Sequence, residues 1–241
     1  MLMTAPWFYC PDLDPASDRA TLPATEVSHA LGARRLRVGA EVSLFDGRGQ
    51  VARAQIAAVN NRDRSVELQI SERRRQAPSA ARHLACALAK GDRQATLFDM
   101  ATQLGATDLT PLECEHSVVT VGPNSVARWE RICLEACKQS RRAYLPRLHA
   151  PTTPDALCAA RQATRTLIAH PDGLAFARLE PLRTTDDVLL LIGPEGGFTD
   201  GEVAAARANG AQTVALGDAI LRIETAAVAL LALVANAQAS N

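Results

Sequence analysis

Two carboxylates and one arginine near the carboxy end stand where this chain could do chemistry: Glu195, Arg222 and Glu224. Glu195 lies in Gly193-Pro194-Glu195-Gly196-Gly197, directly after the apolar run Val188 to Ile192. This loop lacks the Lys-Ser/Thr ending of a phosphate-binding loop and the glycine spacing of a dinucleotide fingerprint. A carboxylate here would repel a phosphate drawn to the start of the following helix. A neutral or cationic ligand suits the loop better. The plain alternative is a tight turn with Glu195 in water.

The elements that must position these groups can be read around them. Val188 to Ile192 is a short apolar run closed by turn residues, the pattern of a buried strand in a parallel sheet. Thr199 and Glu202 have capping-box spacing, which predicts a helix opening there and closing at Gly210. A second buried strand, Thr213 to Leu216, ends at Gly217. Ala219 to Thr225 then leads into an alanine-rich helix, roughly Glu224 to Ala237, with Val228, Leu231, Ala232 and Ala235 on one face. Two strands of one sheet therefore end in glycine-containing loops at the same edge, which is where open α/β sheets bind ligands.

Upstream, strands and helices alternate. His83 to Ala89, Leu109 to Leu112 and Thr166 to Ala169 read as strands, the last running into His170-Pro171-Asp172-Gly173. Gln94 to Leu104 reads as a helix with Leu97, Met100, Ala101 and Leu104 inward. Val126 to Ser140 reads as another, carrying Trp129, Ile132, Cys133, Ala136 and Cys137 on one face. Such alternation predicts an α/β fold with a parallel sheet. The first 75 residues differ. Strands at Trp7 to Tyr9, Glu41 to Phe45, Gln50 to Val59 and Ser65 to Ile70, with turns at Asp46-Gly47 and Asn60 to Asp63 and a helical turn at Glu26 to Leu31, predict a small β-barrel. Arg73 to Pro78 is read as the connection, giving domains at 1–75 and 76–241.

Composition narrows the class. Of the 241 residues 47% are hydrophobic but only 4% aromatic, so the core is aliphatic. The formal charge of zero argues against a generally polybasic nucleic-acid binder. Residues 151–241 hold 6 Lys/Arg against 10 Asp/Glu, so the end carrying the glycine loops is acidic. Any RNA contact must then rest on local clusters: Arg34, Arg35 and Arg37; Arg62 and Arg64; Arg73 to Arg75; Arg141 and Arg142. Arginine suits bidentate phosphate contacts, and solvated surface is the other reading. Six scattered cysteines without Cys-x-x-Cys or histidine partners read as reduced, buried thiols and give no metal site. Met1 to Cys10 has no signal-peptide pattern, and the apolar run near Ala226 to Ala235 is too short to span a bilayer. The expected location is cytoplasmic.

GPEGGFTDGEV at 193–203, followed by LGDAILRIETAAVALLAL at 216–233, resembles the signature of the RsmE family. Weaker similarity covers DGRGQV at 46–51, QLGATDLTPL at 103–112 and EACKQSRRAYLP at 135–146. These are SPOUT-class enzymes that methylate N3 of a uridine in small-subunit (16S) ribosomal RNA with S-adenosylmethionine. The resemblance implies a PUA-like RNA-docking barrel, a C-terminal α/β domain closed by a trefoil knot, and a homodimer packed through the last helix. Residues 1–75 serving only stability is the alternative for the barrel. It assigns the cofactor to three loops: His170 and Pro171 in the first; Ile192, Gly193, Pro194, Gly196 and Gly197 in the second; Leu216, Gly217, Ile220, Leu221 and Thr225 in the third. Arg34, Arg35, Arg37, Arg141 and Arg142 are the RNA contacts chosen from the arginine clusters, with 16S rRNA or the small ribosomal subunit as partner.

Uracil N3 is a poor nucleophile until its proton leaves, and negative charge then develops on the flanking oxygens. Arg222, permanently charged, is the candidate to stabilise that charge. Glu224 or Glu195 is the candidate base, or else a group that merely holds the loops. The chain departs from the family where Trp7 replaces an arginine, where Met100 and Gln103 replace lysine and glutamate, and where His116-Ser117 replaces Arg-Ser. Those departures keep two other readings open: a SPOUT enzyme acting on a different RNA, and a non-catalytic RNA-binding paralogue.

Overall fold

A computed structural model describes residues 5–60, 62–160 and 163–239. The chain divides into two compact units, Met1–Pro78 with Cys137–Leu145, and Ser79–Ala136 with Pro146–Asn241. Among the described residues no helix is long and apolar enough to cross a membrane.

The first unit holds β1 (Trp7–Tyr9), β2 (Arg19–Thr21), α1 (Ala24–Ser28), β3 (Glu41–Phe45), β4 (Gln50–Asn60) and β5 (Ser65–Arg75). They form one five-stranded sheet in the order β1-β3-β4-β5-β2. Alternation drives it: Ala52, Ala54, Ile56, Val66, Leu68 and Ile70 turn to a core shared with Phe8, Leu22 and Val27. β5 is longer than its periodicity suggests. Arg73 to Arg75 pair with Ala52 to Gln50, so this triplet is strand and not connection. The reason is backbone pairing, which continues past the last buried side chain where the sequence pattern has already turned polar. Asn61, in the expected turn, lies outside the described residues. The segment Cys137–Leu145 joins this unit through two backbone bonds, Gly49 N–H to Ala143 O at 3.0 Å and Leu145 N–H to Gly47 O at 3.0 Å. Lys138 Nζ adds a buried ion pair with Glu26 Oε1 at 3.0 Å.

The second unit runs β6 (Arg82–Ala87), α2 (Arg93–Gln103), β7 (Asp108–Leu112), α3 (Ser125–Ser140), β8 (Arg147–Leu148), α4 (Pro154–Ala160), β9 (Arg165–Ala175), β10 (Val188–Ile192), α5 (Asp200–Ala208), β11 (Ala211–Ala215) and α6 (Ile223–Ala239), α3 ending in the first unit's segment. Its six strands are all parallel, in the order β11-β9-β10-β6-β7-β8. β10 is the hub: all five residues are buried, and it pairs with β9 on one side and β6 on the other. That is why VLLLI carries no polar position. On α2, Phe98 and not Met100 turns inward, packing edge-on against Trp129 at 5.1 Å between ring centres. On α6 the buried stripe is Ile223, Ala227, Leu230, Leu231 and Val234. Of the expected face only Leu231 belongs to it; Val228, Ala232 and Ala235 are half-buried. An almost uniformly apolar helix gives no contrast from which to read its orientation.

Candidate active site

The second loop is built by tight contacts. Leaving β10, the chain passes Gly193, where a Cβ would stand 3.0 Å from the Phe198 ring and 3.2 Å from its backbone nitrogen. Gly197 has φ +74°, which a side chain rarely allows. Its neighbour Gly196 packs against His116, whose Nδ1 lies 3.2 Å from the carbonyl oxygens of Gly196 and Gly197. The expected capping box then opens α5. Thr199 Oγ1 accepts from the Glu202 N–H, and Glu202 Oε2 accepts from the Thr199 N–H at 2.8 Å. Glu202 Oε1 also takes the Glu115 N–H at 3.0 Å, so one carboxylate caps the helix and holds the 113–117 turn.

The other two loops meet it at the same sheet edge. β9 runs on beyond Ala169 to Ala175, but its pairing with β11 is interrupted between Thr213 and Val214. His170 and Pro171 lie in that interruption, and His170 Nδ1 accepts the Asp172 N–H at 3.2 Å. The imidazole therefore shapes its own turn. β11 leads through Leu216 to Gly217, at φ +117°, and on to α6.

Together the three loops enclose a cavity of about 480 Å³. Every cofactor candidate named from the sequence lines it except Thr225, which is exposed on α6. Glu195 also lines it, whereas Arg222 and Glu224 stand just outside, at the head of α6. Arg222 is exposed, and Ile220 at the rim is 95% exposed. The walls are mostly glycine backbone and apolar side chains, with His170, Asp172, Glu195 and Asp218 as the polar groups, a surface for an apolar-bodied ligand with few polar anchors.

One cation joins the two candidate bases. Arg93 Nη2 lies 3.7 Å from Glu195 Oε1, and Arg93 Nη1 lies 3.6 Å from Glu224 Oε1. No group of three or more His, Cys, Asp or Glu able to hold a metal occurs among the described residues. Cys86 and Cys114 are not poised as nucleophiles, since burial pushes each thiol up to about 12.

A family model described as an RNA methyltransferase domain matches residues 75–235, and one described as an RNA methyltransferase PUA domain matches residues 22–69. The ribosomal RNA small subunit methyltransferase E of Synechocystis is 33% identical over 88% of this chain and 71% of its own length. The chain belongs to the ribosomal RNA small subunit methyltransferase E family. Among solved structures, the family member from Neisseria gonorrhoeae bound to S-adenosyl methionine is 26% identical, with TM-score 0.87 and coverage of 97% of this chain and 98% of that one. A probable rRNA-methyltransferase from Porphyromonas gingivalis is 31% identical, with TM-score 0.83 over 98% of this chain and 99% of that one. These matches bear out the SPOUT methyltransferase fold with a PUA-like amino-terminal part.

Within this member of the family the arginine candidates fall in one unit. Arg34, Arg35 and Arg37 are exposed after the helical turn that follows α1, and Arg141 and Arg142 lie in the Cys137–Leu145 segment of the same unit. Arg35 and Arg141 take left-handed backbone at φ +51° and +58°. Sequence reasoning missed Arg93 and the role of His116. Arg93 was accessible in principle, because Lys90-Gly91-Asp92-Arg93 follows β6 and so emerges at the same sheet edge as the glycine loops. His116 stood out only as a departure from the family pattern, since its contact is with backbone 80 residues away.

Proposed function

We propose that this protein transfers a methyl group from S-adenosylmethionine to N3 of a uridine in 16S ribosomal RNA. The observation that carries the reading is the cavity of about 480 Å³ walled by three loops of one parallel sheet. Its size suits a nucleoside cofactor, ligand pockets running from about 300 to 1,000 Å³. Glycine N–H and C=O groups in its walls suit an adenine edge, and Glu195 suits a cationic ligand. Family membership and the cofactor-bound Neisseria relative support the same reading.

The cofactor, when bound, supplies a carbon activated by sulfonium. The chain's own residues have three tasks. The loops hold the pocket and exclude water, with His170 and Pro171, Ile192 to Gly197, and Leu216 to Leu221 as the cofactor walls and Thr225 at their margin. Arg222 stabilises charge on the uracil oxygens as the N3 proton leaves, and Glu224 or Glu195 accepts that proton. Positioning of the uracil supplies the rest of the rate gain. Residues 1–75 act as the RNA-docking domain and 76–241 as the methyltransferase domain, with Arg34, Arg35, Arg37, Arg141 and Arg142 on phosphates. The reading includes a trefoil knot at α6, a homodimer packed through that helix, the small ribosomal subunit as partner and a cytoplasmic location.

The test has two parts. Calorimetric titration should show S-adenosylmethionine binding; no binding would leave only an RNA-binding paralogue. Mapping of small-subunit rRNA from a deletion strain should show one N3-methyluridine lost; persistence of every such mark would refute the assigned substrate.

A further inference from the structure

Glu195 and Glu224 come from different parts of the second unit, one from the loop after β10 and the other from the first turn of α6. Both reach the same guanidinium. Arg93 places Nη2 3.7 Å from Glu195 and Nη1 3.6 Å from Glu224, while its Nε donates to the Lys90 carbonyl at 3.4 Å. Glu224 depends on this cation more than Glu195 does. Its side chain is 14% exposed against 41% for Glu195. Its second oxygen, Oε2, is buried and has no hydrogen-bond partner among the described residues. Without Arg93 a largely buried carboxylate would have neither ion pair nor hydrogen bond among the described residues. Either the head of α6 or the glycine loop would have to move. Both carry cavity wall: Ile223 and Ala226 flank Glu224, and Gly193 to Gly197 surround Glu195.

We infer that Arg93 is a positioning residue of the methyl-transfer site, a cationic strut that holds the second loop against the head of α6 and so keeps the cavity closed to its working shape. The inference rests on the methyltransferase reading for its kinetic consequences but not for its mechanical one.

Arg93→Met should weaken S-adenosylmethionine binding about tenfold and lower kcat at saturating cofactor and RNA by a further order of magnitude, about tenfold being 1.4 kcal/mol. Arg93→Lys, which keeps the charge but not the two-pronged reach, should recover only part of what Arg93→Met loses. Amide exchange at residues 193–198 should speed up in Arg93→Met without a comparable change in β7. Wild-type Kd and kcat in Arg93→Met would overturn the strut. So would a loss in Arg93→Lys as large as that in Arg93→Met. If the wild-type chain transfers no methyl group, the function reading falls, and unchanged exchange at 193–198 in Arg93→Met then overturns the strut separately.

Discussion

His116 Nδ1 lies 3.2 Å from the carbonyl oxygen of Gly196, and the same distance from that of Gly197. The two carbonyls sit in the middle of the second loop, and both can only accept, so the ring nitrogen donates. A Cβ on Gly196 would stand 3.1 Å from the Cβ of His116, so a side chain on the loop side would crowd this contact. His116→Ala should free the loop and weaken S-adenosylmethionine binding by about threefold to tenfold, the scale of one lost hydrogen bond. Titration calorimetry of the variant measures it, and wild-type affinity would show that Phe198 and the capping box hold the loop unaided.

Gly173 tests the first loop. A Cβ there would lie 2.5 Å from the Val214 backbone nitrogen, a distance side chains do not adopt. Gly173→Ala should push β9 from β11 at the interrupted pairing and destabilise the protein by about 1–3 kcal/mol. For a chain of this size that is a fall in Tm of about 3–10 °C. Differential scanning calorimetry checks it, and an unchanged Tm would mean that the strand irregularity absorbs a methyl group.

Asp108 predicts an acid limb of stability. Burial raises its pKa, but hydrogen bonds from His149, Thr107 and Arg147 outweigh that and hold it at about 2, against 3.8 for a free carboxyl. The folded state thus binds this proton more weakly than the unfolded one. The resulting stability, on the order of 2 kcal/mol, is present above about pH 4 and is lost as pH falls toward 2. Asp108→Asn should be less stable than wild type at pH 7 and should lose less between pH 5 and pH 3. Chemical denaturation across that range is the measurement, and parallel curves for the two proteins would contradict the assignment.

The six cysteines are all buried. With burial pushing Cys86 and Cys114 up to about 12, neither carries thiolate at neutral pH. Native protein should therefore take up iodoacetamide slowly at pH 8, and all six thiols should react in denaturant. Mass spectrometry after a short pulse reads the outcome. Rapid native labelling at Cys86 would place that strand end open to solvent.

Sequence alone determined the parallel sheet, the loops that bound the cavity and the capping box at Thr199 and Glu202. Each of those is written locally: a run of apolar residues, a glycine cluster, a pair of residues three apart. The strand order, the inward turn of Phe98, the true buried stripe of α6 and the run of β5 through Arg75 were decided by tertiary structure. Those depend on which neighbour an element meets, and uniform apolar or charged stretches carry no record of it. The same holds for the site. Its backbone walls were legible because glycine types mark them, whereas Arg93 meets Glu195 and Glu224 only because β6, β10 and the start of α6 reach one edge of the folded sheet.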